Sequence, residues 1–409
     1  MRGDGKRLLI YAPVPLFRKN GHLFLEDQAC NGLRLWAENF DYLTVMMPLT
    51  DAEPPPSWRP LENVGPNLDR ITVVPLPMAY RPDQFFRHQS AVRSEIRNLI
   101  RQADYVSFAI GGLFGDWGSV GCHEAYRMGR PYGVWTDRVE SKVIRQSIGQ
   151  GHWRQSLRAR LYHLPMAWLE RRLIRRAHVG FFHGRETYET YAPFCSNPQL
   201  VHDIHIRKED HIQADALENK AVTAAQPLLK IVYMGRADPM KGPLDWIDAL
   251  NGAAKAGTQF HASWIGEGSE LETMRRKIAE LGLKDKISTP GFMSDRKLVL
   301  TALRDADVFL FCHKTPESPR CLIEALTSGT PILGYDGAFA RDLISPNGGG
   351  VLVPLNDVAA LTDQINEISR NSKRLGDLIR RAAADGAPYD DVSVFRHRSD
   401  LIREHLPPG

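Results

Sequence analysis

The chain has 409 residues, 43% hydrophobic and 24% charged, with a formal net charge of +4. That length exceeds one compact core and suits two domains, and the composition excludes a disordered, fibrous or low-complexity protein. Five scattered cysteines (Cys30, Cys122, Cys195, Cys312, Cys321), none in a CxxC pair, exclude a disulfide framework or zinc ribbon and fit a reducing compartment.

In chain order, Arg7–Ala12 reads as a first strand and Asn31–Asn39 as part of the helix after it. Tyr42–Met47, Arg70–Pro75, Asp104–Ile110, Tyr132–Trp135 and Val179–His183 continue the strands. A polar segment, Arg207–Gln226, separates them from a second series: Leu229–Met234, Gln259–Ile265, Ile287–Thr289, Val308–Phe311 and Pro331–Gly334. Short apolar runs alternating with amphipathic helical stretches predict parallel α/β architecture. The expected division is 1–220, 221–390, and a terminal segment 391–409 whose helix (Val392–Leu406) can pack back on the first domain. The start carries no signal-peptide pattern, and no apolar run approaches the roughly 20 residues of a membrane span. The expected location is therefore cytoplasmic.

Two segments of the second half carry chemistry. Gly235, Arg236, Lys241 and Gly242 follow a buried strand and precede a helix. A glycine there admits a close approach, and two cations on one turn can hold a diphosphate. Thr315–Leu326 follows the apolar strand before it and opens another helix, whose N-terminus is a ready anion site. Glu317 and Glu324 supply carboxylates for hydroxyl groups. The plainer readings are surface cations in a βα loop, a favourable N-terminal charge at Glu317 and a solvated Glu324.

In order and spacing, GRADPMKG, WIGEGSELETMRRKIAELGL, ISTPGFMSDRKLVLTALRDADVFLF and ESPRCLIEALTSGTPI resemble the C-terminal domain of GT-B glycosyltransferases of family 4, the large retaining group. The resemblance implies two facing Rossmann-like domains with parallel sheets and an inter-domain cleft. It implies transfer of a hexose from a UDP- or GDP-sugar to a saccharide or lipid-linked saccharide, as in bacterial polysaccharide assembly. It further implies that Arg236 and Lys241 hold the diphosphate and stabilise the leaving group without a metal ion or other cofactor. Glu324 would bind the ribose, and Glu317, Ser318 and Arg320 the donor sugar or phosphate. Cys321 and Leu322 would offer backbone amides, and Gly235, Gly266, Glu267, Phe292 and Met293 would border the nucleotide. The chain departs from the family in one place: Glu317 and Glu324 enclose six residues where the family has seven. That departure leaves open a non-catalytic sugar-nucleotide or membrane-binding protein of the same fold. Asp305 and Asp307 read as structural rather than as a metal pair.

The first half resembles the family less. Gly21 stands where the family has a phosphate-approaching glycine pair, and is equally an ordinary turn glycine. Asp137, at the end of Tyr132–Trp135, is expected in the acceptor site or as the cap of the next helix. Gly111, Gly112, Gly115 and Gly118 mark another cleft loop. From Arg154 to Arg176 seven arginines accompany one acid, Glu170, with Pro165 predicted to break the stretch into two helices. The stretch fits a solvated helix face or one lying on an anionic membrane at the inner face of the cell. No aromatic–basic platform or recognised motif points to nucleic acid.

Overall fold

Continuous apolar runs such as VFLF and IVYM cannot alternate between core and solvent, and they become the inner strands of parallel sheets. The structure, a computed structural model, describes residues 6–55, 58–65, 67–146, 148, 153–224, 226, 228–315 and 318–409. The chain divides into two compact units, one of Met1–His205 with Asp391–Gly409 and the other of Ile206–Asp390.

The first unit contains β1 (Arg7–Tyr11), β2 (Leu16–Lys19), β3 (His22–Glu26), α1 (Asp27–Asn39), β4 (Tyr42–Thr50) and β5 (Trp58–Pro60). Next come β6 (Ile71–Pro77), α2 (Pro82–Gln102), β7 (Tyr105–Ala109), α3 (Trp117–Arg127) and β8 (Gly133–Thr136). They are followed by α4 (Glu140–Gln146), α5 (Trp153–Arg176), β9 (Val179–His183), α6 (Arg185–Tyr191) and β10 (Pro198–Val201). Its parallel core runs β10-β9-β8-β7-β1-β4, with β6 also pairing β4. The order reverses between β1 and β7, the position at which open α/β sheets bind ligands. A hairpin of β2 and β3, extended by β5, joins the far end of β4. The sequence reading has only a loop there. Its strands are half exposed and polar in places, so they carry no apolar run. Asn20 (φ 53°) and Gly21 (φ 83°) form the tip of that hairpin, which explains the glycine by turn geometry.

The second unit contains α7 (Ala214–Thr223), β11 (Leu229–Met234), α8 (Pro243–Lys255), β12 (Phe260–Ile265), α9 (Leu271–Glu280) and β13 (Ile287–Gly291). It continues with α10 (Arg296–Asp305), β14 (Val308–Phe311), α11 (Arg320–Thr327), β15 (Ile332–Tyr335), α12 (Ala338–Ile344), β16 (Gly350–Val353), α13 (Val358–Arg370) and α14 (Ser372–Gly386). Its sheet is wholly parallel in the order β13-β12-β11-β14-β15-β16, the Rossmann order, with the switch between β11 and β14. The polar segment Arg207–Gln226, expected to fall to the first domain as far as residue 220, lies within this unit. Polar in sequence, α7 nonetheless buries Ala221 and packs on α14, where Glu218 pairs with Arg380 at 2.6 Å.

The last helix, α15 (Asp391–His405), returns to the first unit. Phe395 meets Trp36 of α1 edge to face at 5.2 Å, and the Arg403 guanidinium donates to the Asn39 carbonyl. Proline does not split α5. Pro165 lies on its exposed side, so the missing hydrogen bond falls towards water, while Met166, Glu170, Leu173 and Ile174 keep one buried face past it.

One device recurs. Asp104, just before β7, accepts from the Arg7 amide (2.8 Å) and donates its own amide to the Arg7 carbonyl (3.0 Å). Asp307, just before β14, does the same to Lys230 at 2.8 Å and 2.8 Å. Each clamp sets the register of the two strands that flank a switch point. Asp307→Ala is expected to cost about 1–3 kcal/mol in urea unfolding, against less than about 0.5 kcal/mol for the exposed Asp305→Ala. Equal effects would reject the clamp.

Candidate functional site

In the second unit the loops after β11, β12, β13 and β14 are joined at the carboxyl ends of their strands. The Gly235 amide donates to Ile265 O (3.0 Å) and the Gly266 amide to Gly291 O (2.9 Å). Gly266 has φ 149°, and a Cβ there would sit 2.1 Å from the Gly235 carbonyl oxygen. The Asp238 carboxylate accepts from the Ser269 amide and hydroxyl at 3.1 and 3.2 Å, fastening the first loop to the second. Across the switch point, Gly242 adopts the left-handed conformation (φ 64°), and a Cβ on it would meet Cys312 O at 2.2 Å. The Lys314 amide donates to Met240 O at 2.8 Å. The β11 and β14 loops therefore form one surface, with the α8 N-terminus on one and the α11 N-terminus on the other.

The cations on this surface differ. Lys241, in the 3₁₀ turn Pro239–Lys241, is buried. Arg236 is exposed and 3.2 Å from Asp238. Lys314 is held by Asp245 at 2.7 Å, and the Tyr335 hydroxyl donates to the same carboxylate at 2.7 Å. Beneath the turn, the Tyr233 hydroxyl and His313 Nε2 share a 2.8 Å hydrogen bond. Burial, and then Lys241, push the His313 imidazole well below its ordinary value, so it is neutral and adds no charge beside the lysine.

Among the other expected donor-site residues, Glu267 is exposed and its carbonyl accepts from the Ala237 amide at 2.8 Å. Phe292 is exposed and Met293 half-buried, directly after β13. Ser318 and Pro319 precede α11, Arg320 and Cys321 open it, and the Leu322 amide donates to Pro319 O at 3.2 Å. Pro316 and Glu317 lie outside the described residues. Glu324 is half-buried, its Oε1 3.2 Å from Arg296 Nη1, and Arg296 holds Asp210 through Nε and Nη2 at 3.1 Å. A carboxylate has acceptor capacity beyond one such bond. Gly21 lies in the other unit, at the hairpin tip.

The first unit has a cavity of about 780 Å³ at the ends of β1, β7 and β8. Its walls include Tyr11, Phe114, Trp135 and Tyr162, with Asp116, Asp137 and Arg158 among them. The glycine-rich loop is wrapped around Asp116, which caps α3 by accepting from the Gly118 and Ser119 amides (3.0 and 3.3 Å) and also takes the Gly111 amide at 2.9 Å. Burial raises the Asp116 carboxyl above its usual range, opposed by these hydrogen bonds and by the Ser119 hydroxyl. Asp137 is not a cap, because α4 begins at Glu140. Its Oδ1 instead accepts from the Trp135 indole at 2.7 Å. Arg398 of α15 lies 3.8 Å over the Trp135 ring and 3.3 Å from Asp203.

Residues 217–385 match the family described as "Glycosyl transferases group 1". The match runs from α7 to α14, so it is the second unit that is similar to the group 1 glycosyltransferases. It is 29% identical over 249 residues to the 2-deoxystreptamine N-acetyl-D-glucosaminyltransferase of Streptomyces fradiae, covering 55% of this chain and 57% of that protein. It is 32% identical over 164 residues to the phosphatidyl-myo-inositol mannosyltransferase of Mycobacterium leprae, covering 39% and 43%. The chain thus spans about half the length of the curated relatives it matches. The crystal structure of Anabaena Alr3699/HepE in complex with UDP superposes with a TM-score of 0.68 at 14% identity, covering 98% of this chain and 100% of that one. The two-domain α/β architecture with parallel sheets is that of GT-B glycosyltransferases.

In these two units, sequence reasoning missed His313, Arg296, Asp210 and Asp116. Of these, Asp116 was detectable, as an aspartate inside a glycine-rich loop one residue before a helix. His313 gives a pH signature. Its folded pKa lies below the unfolded value near 6.5, so the stability it contributes is full above that value and is lost as pH falls towards the folded one, by up to about 1.4 kcal/mol per pH unit. His313→Gln is expected to flatten that acid limb in urea unfolding, and an unchanged slope would reject the neutral-histidine assignment.

Proposed function

We propose that this protein transfers a hexose from a UDP- or GDP-sugar to a hydroxyl of a saccharide or lipid-linked saccharide, with retention of configuration, in bacterial polysaccharide or glycoconjugate biosynthesis. The observation that carries the reading is the junction of the β11 and β14 loops, where Gly242 against Cys312 and Lys314 against Met240 set Lys241 beside a helix N-terminus at the switch point. Buried, with a neutral histidine beneath it, Lys241 acts on a diphosphate with little screening by water. The exposed Arg236 exchanges Asp238 for the second phosphate. The acceptor oxygen bonds to the anomeric carbon as the bond from that carbon to the β-phosphate oxygen breaks. The nucleoside diphosphate leaves with the electron pair, its growing charge met by Arg236, Lys241 and the α11 amides rather than by a metal ion. Glu324 holds the ribose.

The acceptor reading rests on the first unit's cavity, where aromatic faces and carboxylates alternate as sugar rings and hydroxyls require. Asp137, oriented by the Trp135 indole, binds the acceptor hydroxyl and takes its proton. The enzyme works in the cytoplasm, at the inner face of the membrane.

Thermal unfolding with UDP, GDP, ADP or TDP in EDTA tests the donor site. One nucleotide at a hundred times its dissociation constant is expected to stabilise the protein by about 2.7 kcal/mol, and Arg236→Ala and Lys241→Ala should each abolish the shift. No shift with any nucleotide, or a shift only with added magnesium, would count against the reading. For the acceptor side, Asp137→Asn is expected to keep the nucleotide shift and lower kcat by about 10²–10⁴. Proton NMR of the wild-type product should give the donor's own anomer. An unimpaired variant removes Asp137 from the reaction, and an inverted product removes retention.

A further inference from the structure

Helix α5 turns an apolar stripe to the outside. Leu157, Leu161, Leu164 and Trp168 are 49%, 62%, 68% and 60% exposed. At 3.6 residues per turn they fall within an arc of about 60° and run about 16 Å along the helix. The opposite face, with Ala159, Met166, Glu170 and Leu173, is the one buried in the first unit. Arg160 and Arg172 border the stripe, and Arg171 and Arg175 continue it. Among the described residues none of these arginines forms an ion pair. Arg171 and Arg175 lie over the Phe194 ring at 5.0 and 5.9 Å, and Arg172 over Trp168 at 5.0 Å.

Four large apolar side chains in water, edged by unpaired guanidinium groups, are unfavourable unless something covers them. The charge decides what. In a two-fold dimer the same patch meets itself, and arginines would face arginines. An anionic bilayer suits both parts, with apolar side chains entering the acyl boundary and arginines remaining among phosphates. Among the described residues no helix is long and apolar enough to cross a membrane, which leaves contact with its surface.

We propose that α5 docks this protein on anionic lipid bilayers through Leu157, Leu161, Leu164 and Trp168, with Arg160, Arg171 and Arg172 on the headgroups. The same helix supplies Arg158, Ala159 and Tyr162 to the cavity of the first unit. Phe114 stands 6.0 Å from Tyr162 and 6.0 Å from the exposed Phe86, extending the apolar surface past the cavity rim. On the acceptor reading given above, this makes the acceptor a lipid-borne hydroxyl, presented from the surface on which the enzyme sits.

Sedimentation of the full chain with vesicles of equimolar phosphatidylglycerol and phosphatidylcholine, against pure phosphatidylcholine, tests the docking without reference to activity. Binding is expected only with the anionic lipid. Leu161→Gln with Trp168→Gln should weaken it at least tenfold. Arg160→Gln with Arg172→Gln should weaken it about fivefold per arginine, with weakening at higher salt. These side chains are exposed, so both double variants should keep the wild-type melting temperature and nucleotide shift. Equal sedimentation with both vesicles, no sedimentation with either, or a dimer in gel filtration that the Leu161/Trp168 variant dissolves would overturn the proposal. A lost nucleotide shift with vesicle binding intact would instead overturn the donor reading and leave the docking surface standing.

Discussion

Each sheet depends on a carboxylate bound to the backbone of its central strand. Asp104 holds Arg7 and Asp307 holds Lys230, each through one bond to the amide and one to the carbonyl. The bonds fall at the start of the two strands that flank the switch point, in the middle of each sheet. A shift of one residue would move every side chain of a strand to its other face. With the register fixed there, the carboxyl ends of β1 and β7, and of β11 and β14, finish level. The loops that leave them open a crevice whose position is set before any ligand arrives.

Each unit fills its own crevice with different chemistry. In the first, glycines wrap around Asp116, whose bonds go to its own loop and helix, leaving a cavity walled by aromatic rings. In the second, a tight turn brings a lysine over a neutral Tyr233–His313 pair, and the backbone of one loop touches that of the other at Gly242. One frame thus offers ring faces and hydroxyl acceptors, and its counterpart offers positive charge and amides. The chemistry resides in the loops and not in the sheets that carry them.

How much of this the sequence shows depends on how local each cause is. Val308–Phe311 and Ile231–Met234 were legible because a strand buried on both faces is apolar throughout. The β2–β3 hairpin was not, since its half-exposed residues leave no run to count. Nor was the passage of α5 through Pro165, which depends on which side of the helix meets water. The glycine and cation spacing after β11 could be read directly, because its parts lie within one turn. The Asp210–Arg296–Glu324 chain could not, since its members are 86 and 28 residues apart and meet only through the fold. The same holds for Arg398, which joins Trp135 and Asp203 from the far end of the sequence.

That last helix has a consequence for synthesis. The first unit is discontinuous in the chain: α15, which covers Trp36 and presses Arg398 onto Trp135, emerges from the ribosome only after all of Ile206–Asp390 has been made. Domains fold as units while the chain is being made. The second unit can therefore be complete while the first still shows an aromatic seam to solvent, and the unit translated first becomes native last.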